Sequence, residues 1–316
     1  MSTTRLGMET MVGAARRPRR TAGPLQRREA RVGWLWIQPW LIGFLAFTAI
    51  PFGAAFVMSL TNWSPAGAEF IGFDNYVRMF TDDPLFWQAI KVTFVFVLLY
   101  LPLSIALGLG AAMLMNQKFV GVGVFRTIYY LPSVLSGVAV VVLWSFVFHR
   151  EFGVVNLALG YLGIPPIPWL QSSFWVIPVI VIMQLWGVGA SIIIYLGGLQ
   201  GIPTELYEAA SLDGAGWWRT FRSVTLPMMS PIILLQAVIG LIGTFQIFTQ
   251  SFALTRGGPD YGSYFLSLYI YDTAFGQLKL GYACALSVAL FAIILSLTGL
   301  FFAVSRSRVY YAGAKD

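Results

Sequence analysis

Six long stretches of this chain carry no Asp, Glu, Lys, Arg or His, at about residues 35–60, 92–116, 127–148, 174–199, 232–254 and 280–304. Spanning the roughly 30 Å hydrocarbon layer of a bilayer takes about 20 apolar residues as helix. Each stretch meets that length, and nothing else in the sequence narrows the fold as much. Hydrophobic residues make up 58% of the chain and charged residues 10%, against about 25% charged in a soluble domain. The expected fold is therefore all-α, a polytopic membrane protein with six transmembrane helices. A longer uncharged run, from Phe152 to Thr204, contains Pro165, Pro166 and Pro168. These break it, so its first part is expected to be an extracytoplasmic loop. The division that follows is a basic, disordered tail over 1–33, a spanning region over 34–308 and a short tail over 309–316.

Basic residues are spread unevenly between the loops. The N-terminal tail holds eight arginines, from Arg5 to Arg31. Lys118 and Arg126 follow the second stretch, Arg219 and Arg222 the fourth, and Arg306, Arg308 and Lys315 the sixth. The alternate loops hold only Arg78, Arg150, Arg256 and Lys279, with Lys91 at a span boundary. Cytoplasmic loops carry the excess of Lys and Arg, which places both termini in the cytoplasm. This distribution accounts for the net charge of +7 with no nucleic acid as partner; anionic lipid is the expected neighbour of the tail. Trp34, Trp36, Trp40, Trp169 and Trp175 are expected to anchor span ends at the interface. The first stretch is too long for a signal-peptide core and no small-residue cleavage site follows it, so it reads as a retained helix. Cys284 reads as a small buried hydrophobe, and His149 as an interfacial side chain.

The spans lack the ionisable groups that mark ion paths in coupled pumps. No G-x-x-x-x-G-K-[ST] loop occurs, since none of the four lysines follows a glycine. No metal-ligand cluster and no nucleophile–base pair is visible, so the chain does not read as an enzyme. Energy for uphill transport must come from another subunit.

One charged unit interrupts the apolar runs. Residues 205–227 read ELYEAASLDGAGWWRTFRSVTLP. Thr204 is expected to cap a helix whose first turn holds Glu205 and Glu208. Leu206, Ala209, Ala210 and Asp213 share a face, and the two alanines make the helix thin. Gly214 is expected to end it in the left-handed conformation. Trp217, Trp218 and Phe221 anchor a second short helix, which Leu226, Pro227 and Pro231 should terminate. On amphipathicity alone this is equally an interfacial loop helix.

The pattern Glu208-Ala209-Ala210-x-x-Asp213-Gly214-Ala215, then Phe221, Val224-x-Leu226-Pro227 and Pro231, resembles the EAA loop of ABC importer permeases, here over 202–231. Val224 departs from the more frequent isoleucine. The resemblance runs from about Gly33 to Arg308. Arg126-Thr127 with Leu131-Pro132, Gly153-x-x-Asn156, Thr255-Arg256-Gly257-Gly258-Pro259 and Gly281-Tyr282-Ala283 are similar to the carbohydrate-uptake branch, MalF-like or UgpA-like. The resemblance implies a type I permease in a bacterial plasma membrane. Its implied partners are a second, MalG- or UgpE-like permease, a cytoplasmic ABC ATPase dimer and an extracytoplasmic solute-binding protein. ATP would be bound by the ATPase, leaving this chain without a cofactor. Glu208 would make a charge-assisted contact to the ATPase and Gly214 would allow the bend.

For the solute, span four offers Gln184, Gly187 and Ser191, and span five Gln246 and Gln250 with Gly243 and Thr244, at offsets of three and four. These either line a sugar path or hold helices together. Gly197-x-x-x-Gly201 and Gly240-x-x-Gly243 read as close-packing sites. Trp144 and Trp186 fit a core, an interface or a stacking platform. A stand-alone secondary transporter and a non-transporting membrane scaffold remain as other readings, the first of them disfavoured by the EAA-type loop.

Overall fold

The structure, a computed structural model, describes residues 23–117, 121–135 and 137–305. Lys118, the arginines before residue 23 and the tail expected over 309–316, with Arg306 and Arg308, lie outside the described residues. The described residues form two compact units, divided between Ala54 and Ala55.

The first unit corrects the expected boundary of the disordered tail. Helix α1 runs Pro24–Phe44, so residues 24–33 are helical. Proline suits a first helical position, and the Leu, Gln, Arg, Glu and Ala residues that follow are good helix formers. A π turn over Leu45–Ala49 leads into α2, Ile50–Ser59, whose second residue is Pro51. The widened turn falls where the proline would otherwise crowd the preceding carbonyls. Trp34, Trp36 and Trp40 are exposed, and Trp40 stacks on Phe44 at 5.5 Å.

In the second unit, α3 (Asp74–Thr81) precedes the long α4 (Pro84–Met115). Then come α5 (Val122–Val134), α6 (Gly137–Val147), α7 (Val154–Tyr161), α8 (Val176–Trp186) and α9 (Gly189–Gln200). The charged unit forms α10 (Thr204–Leu212) and α11 (Trp217–Thr220), which a π turn joins to α12 (Leu226–Phe245). Short helices α13 (Thr249–Leu254) and α14 (Leu266–Tyr271) lead to α15 (Leu280–Ser305). Four continuous helical stretches are long and apolar enough to cross a membrane; α5 with α6 and α8 with α9 make up to two more, each pair bent by more than 40°. Counting each pair once gives the six expected spans.

Two boundaries move. The second span starts at Pro84, so Lys91 lies within its helix and is exposed. The fifth occupies Trp217–Phe245 rather than 232–254. Leu226, Pro227 and Pro231 do not terminate the helix. A π turn over Phe221–Thr225, in which the Leu226 amide donates to the Phe221 carbonyl, leads directly into Pro227, so the widened turn accommodates the missing N–H within a continuous helix. Pro231 leaves the Pro227 carbonyl without its helical donor, and the Ser230 hydroxyl donates to it at 2.6 Å.

Helix α4 is the spine. It supplies Phe86, Val97 and Leu101 to a core shared with α12, α14 and α15 and Phe96 to one shared with α8. Its C-terminal Leu109, Ala112 and Met115 join α9 and α12. Lipid tails are as apolar as these side chains, so close van der Waals fit rather than burial holds spans together. Glycines set the close approaches. A Cβ on Gly240 would meet Leu101 at 2.8 Å, and one on Gly108 would meet the Tyr195 ring at 2.9 Å. At Gly198 it would strike Ile232, and at Gly189 the Tyr129 carbonyl. Gly197 and Gly243, expected as packing sites, face open space, and Gly201 meets only carbonyls of its own preceding turn.

The loop before α8 is ordered from within. Asn156 is buried, and its amide donates to the Arg150 and Ile167 carbonyls, each at 2.9 Å. Its Oδ1 accepts from the Ile167 amide at 3.1 Å and the Trp169 indole at 2.8 Å. Trp169 is thereby a loop strut as well as a residue near a span end. His149 stacks on Phe152 at 3.5 Å, and Cys284 is half-buried within α15.

Candidate functional site

The segment 202–231 is built around α10. Pro203 is the N-cap and Thr204 the first helical residue, with no side-chain cap bond. The capping role expected of Thr204 therefore fails: the cap position falls one residue earlier, on a proline that lacks a side-chain acceptor. Glu205 is the acid of the first turn, while Glu208 lies a turn further on. The helix ends as local chemistry dictates. Gly214 has φ +73°, the Ala215 amide donates to the Ala210 carbonyl at 2.9 Å, and the Gly214 amide donates to Ser211 at 3.0 Å. These two bonds make a Schellman motif, which satisfies carbonyls that a helix end leaves open.

None of the α10 residues is buried. Glu208, Ala209, Asp213 and Gly214 are exposed, while Ala210 and Ala215 are half-buried. The inner side is held by Tyr207, whose hydroxyl lies 3.2 Å from Thr225 Oγ1 and which packs on the cluster containing Met115 and Met229. Leu212, at the far end, is 90% exposed. Sequence inspection passed over it; an apolar residue directly before the Asp-Gly stop was the available signal. Trp217 and Trp218 are exposed and lie 5.9 and 5.5 Å from the Phe221 ring. Leu226 is partly exposed, and with Pro227 it borders a groove that reaches Phe301.

The polar residues of spans four and five do not form two stripes. Gln184 is on α8 and Ser191 on α9, with exposed Gly187 capping α8 between them. Gln246 caps α12 and Gln250 lies on the separate α13, so the expected shared face is lost where each helix breaks. The fold joins Gln184 to Gln250 instead: Gln250 Nε2 donates to Gln184 Oε1 at 2.9 Å, and both are half-buried. Exposed Gln246 lines a different groove, of about 370 Å³, with Ile242, Ser287, Phe291 and Thr298. Buried Thr244 donates its hydroxyl to the Gly240 carbonyl of its own helix. Ser191 is half-buried beside Gly108. Trp144 and Trp186 meet edge-to-face at 5.9 Å; Trp144 packs on a core cluster, and Trp186 borders a groove.

A carboxylate that sequence inspection did not single out organises the opposite end of α4. Asp83 Oδ1 accepts from the Leu85 and Phe86 amides at 3.0 and 3.1 Å. Oδ2 accepts from the Tyr269 and Tyr282 hydroxyls. The Arg78 guanidinium lies over the Tyr282 ring at 4.6 Å. Burial, followed by the bond to Asp83, raises the Tyr269 hydroxyl above its ordinary value, so it stays a protonated donor. Among the described residues no group of His, Cys, Asp and Glu is arranged to hold a metal ion.

These features meet in a known family. The model for "Binding-protein-dependent transport system inner membrane component" matches residues 104–309. The probable ABC transporter permease protein YesP of Bacillus subtilis is 36% identical over 92% of this chain and 95% of its own. The lactose transport system permease protein LacF of Rhizobium radiobacter is 37% identical over 87% and 94%. A chain in the crystal structure of a bacterial alginate ABC transporter, in complex with alginate pentasaccharide-bound periplasmic protein, superposes with a TM-score of 0.80 at 25% identity, covering 89% and 96%. The six spans, the exposed α10 unit between two of them and these likenesses agree: this chain belongs to the family of binding-protein-dependent transport inner membrane components, the membrane-spanning permeases of ABC importers.

Proposed function

We propose that the chain is one of two paired permeases of an ATP-driven importer for a neutral sugar, and that α10 is the part through which a separate ATPase dimer moves it. The observation that carries this reading is α10 itself: a short helix with no buried residue, ended by a Schellman turn and presenting Glu208, Ala209, Asp213 and Leu212 outward. A small face with an apolar tip and an acid suits a cleft in another protein. The names of the relatives point to sugars, and the uncharged middle portions of the spans suit a neutral solute. The alginate transporter's periplasmic protein supports a solute-binding protein as third partner. The second permease is of the MalG- or UgpE-like kind, nucleotide is held by the ATPase, and this chain binds no cofactor. Both termini and α10 face the cytoplasm, as the excess of basic residues on their side suggests. The chain resides in a bacterial plasma membrane.

Gln184 and Gln250 are the preferred solute contacts. Each amide has two donor and two acceptor positions, and their mutual bond uses one of each. Thr244, bonded to its own helix, falls to a packing role.

The test is Glu208→Lys in the reconstituted transporter. Truncating one side of a hydrogen-bonded interface charge costs about 2–5 kcal/mol, so ATPase binding or coupled uptake should drop by more than about tenfold. Insertion and pairing with the second permease should persist. Uptake at the unmodified rate with normal ATPase retention would remove α10 from the coupling role.

A further inference from the structure

A groove opens between α4, α5 and the bent pair α8–α9. Its larger chamber, about 550 Å³, is lined by Ala106, Gly110, Leu114, Tyr129 and Trp186 among others. A smaller one, about 270 Å³, shares Leu114 and Tyr129 and extends to Met115 and Phe125. The lining is mostly apolar, with Gln117 in the smaller chamber beside Met115. Arg126, one residue after Phe125 and one turn before Tyr129, adjoins the smaller chamber through Met115, which lines it. Its Nη2 donates to the Met115 carbonyl at 3.2 Å, at the C-terminus of α4, where carbonyls lack helical donors. Its Nε is buried and has no hydrogen-bond partner among the described residues. A guanidinium offers five N–H donors and stays charged, and a buried donor without an acceptor is costly.

We propose that this groove binds an anionic phospholipid, with the phosphate on Arg126 and one acyl chain along α4 past Leu114 and Gly110. Charge complementarity selects the headgroup, because among the described residues the acceptor of Arg126 is a neutral carbonyl and a phosphate supplies oxygens for the rest of its fork. The apolar lining selects the tail; a sugar would find few partners there. The site adjoins the moving parts. Leu109, Ala112 and Met115 of α4 share one packed cluster with Tyr207 and Phe221 of the 202–231 segment, so an occupied groove braces the wall on which α10 rests.

The experiment uses the assembled transporter in vesicles of phosphatidylcholine containing a minor fraction of phosphatidylglycerol. Phosphatidylglycerol retained after detergent extraction is counted by native mass spectrometry. Arg126→Gln should lower retention about fivefold, the usual worth of one arginine at an anionic headgroup, and Arg126→Lys should keep most of it. Gly110→Leu should also lower retention with Arg126 intact, by filling the tail's path. A Cβ there meets nothing within 4 Å, so this variant keeps the fold. Retention unchanged in both Arg126→Gln and Gly110→Leu overturns the proposal. So does loss of the second permease from Gly110→Leu with lipid retention intact, since the groove would then be a subunit seat.

Discussion

Asp83 shows how much one side chain can hold. It caps α4 through two backbone amides and receives hydroxyls from α14 and α15, 186 and 199 residues further along the chain. Removing one hydroxyl leaves the carboxylate with its other partners. Tyr269→Phe and Tyr282→Phe should each cost about 1–2 kcal/mol, while Asp83→Ala should exceed either, since both hydroxyls and the cap are lost together. Thermal unfolding in detergent reads this, and a single Tyr→Phe as damaging as Asp83→Ala would mean that only one bond exists. Neighbouring glycines differ as sharply. Gly198→Leu should destabilise by about 1–3 kcal/mol through overpacking against Ile232 and Met229, whereas Gly197→Ala, facing open space, should be neutral or stabilise by up to about 1 kcal/mol. The glycine pattern announced close packing in this helix but placed it one residue away, because the choice depends on where α12 puts its side chains.

At the scale of elements, legibility tracks locality. The α10 stop was readable because a left-handed glycine followed by two reverse hydrogen bonds involves only neighbours in sequence. Gly214→Ala should therefore cost about 1 kcal/mol in the αL position, and Gly214→Pro considerably more, since proline cannot take positive φ. Limited proteolysis of the 202–231 segment in membranes should rise in that order. The six spans were readable for a related reason: an uncharged run of sufficient length has few alternatives. The solute residues were not. An offset of three or four identifies a face only while the helix is continuous, and both spans break within the candidate sets, at Gly187 and Gln246. The pairing of Gln184 with Gln250 is a tertiary outcome of those breaks. A double-mutant cycle on solute-stimulated ATP hydrolysis should show coupling of at least about 0.5 kcal/mol between them, while Gln246→Ala should add independently from its separate groove.

For the whole molecule, the arrangement across the membrane turns on whether α8 and α9 together count as one span. They are bent by 51°, and the Gly187 cap and the close approach at Gly189 explain the bend without requiring the chain to turn back. If the pair crosses, Tyr161 at the end of α7 and Leu212 at the end of α10 lie on opposite sides; if it re-enters, they lie on the same side. Both positions are strongly exposed, 93% and 90%, so a cysteine at either is reachable without disturbing packing. Cys284 is the one cysteine in the chain, and Cys284→Ser supplies a clean background. In intact cells a membrane-impermeant thiol reagent should label Tyr161→Cys and spare Leu212→Cys, and in inverted vesicles the preference should reverse. Labelling of both in intact cells would make α8–α9 a re-entrant pair and would separate α10 from the cytoplasmic ATPase that the transport reading requires.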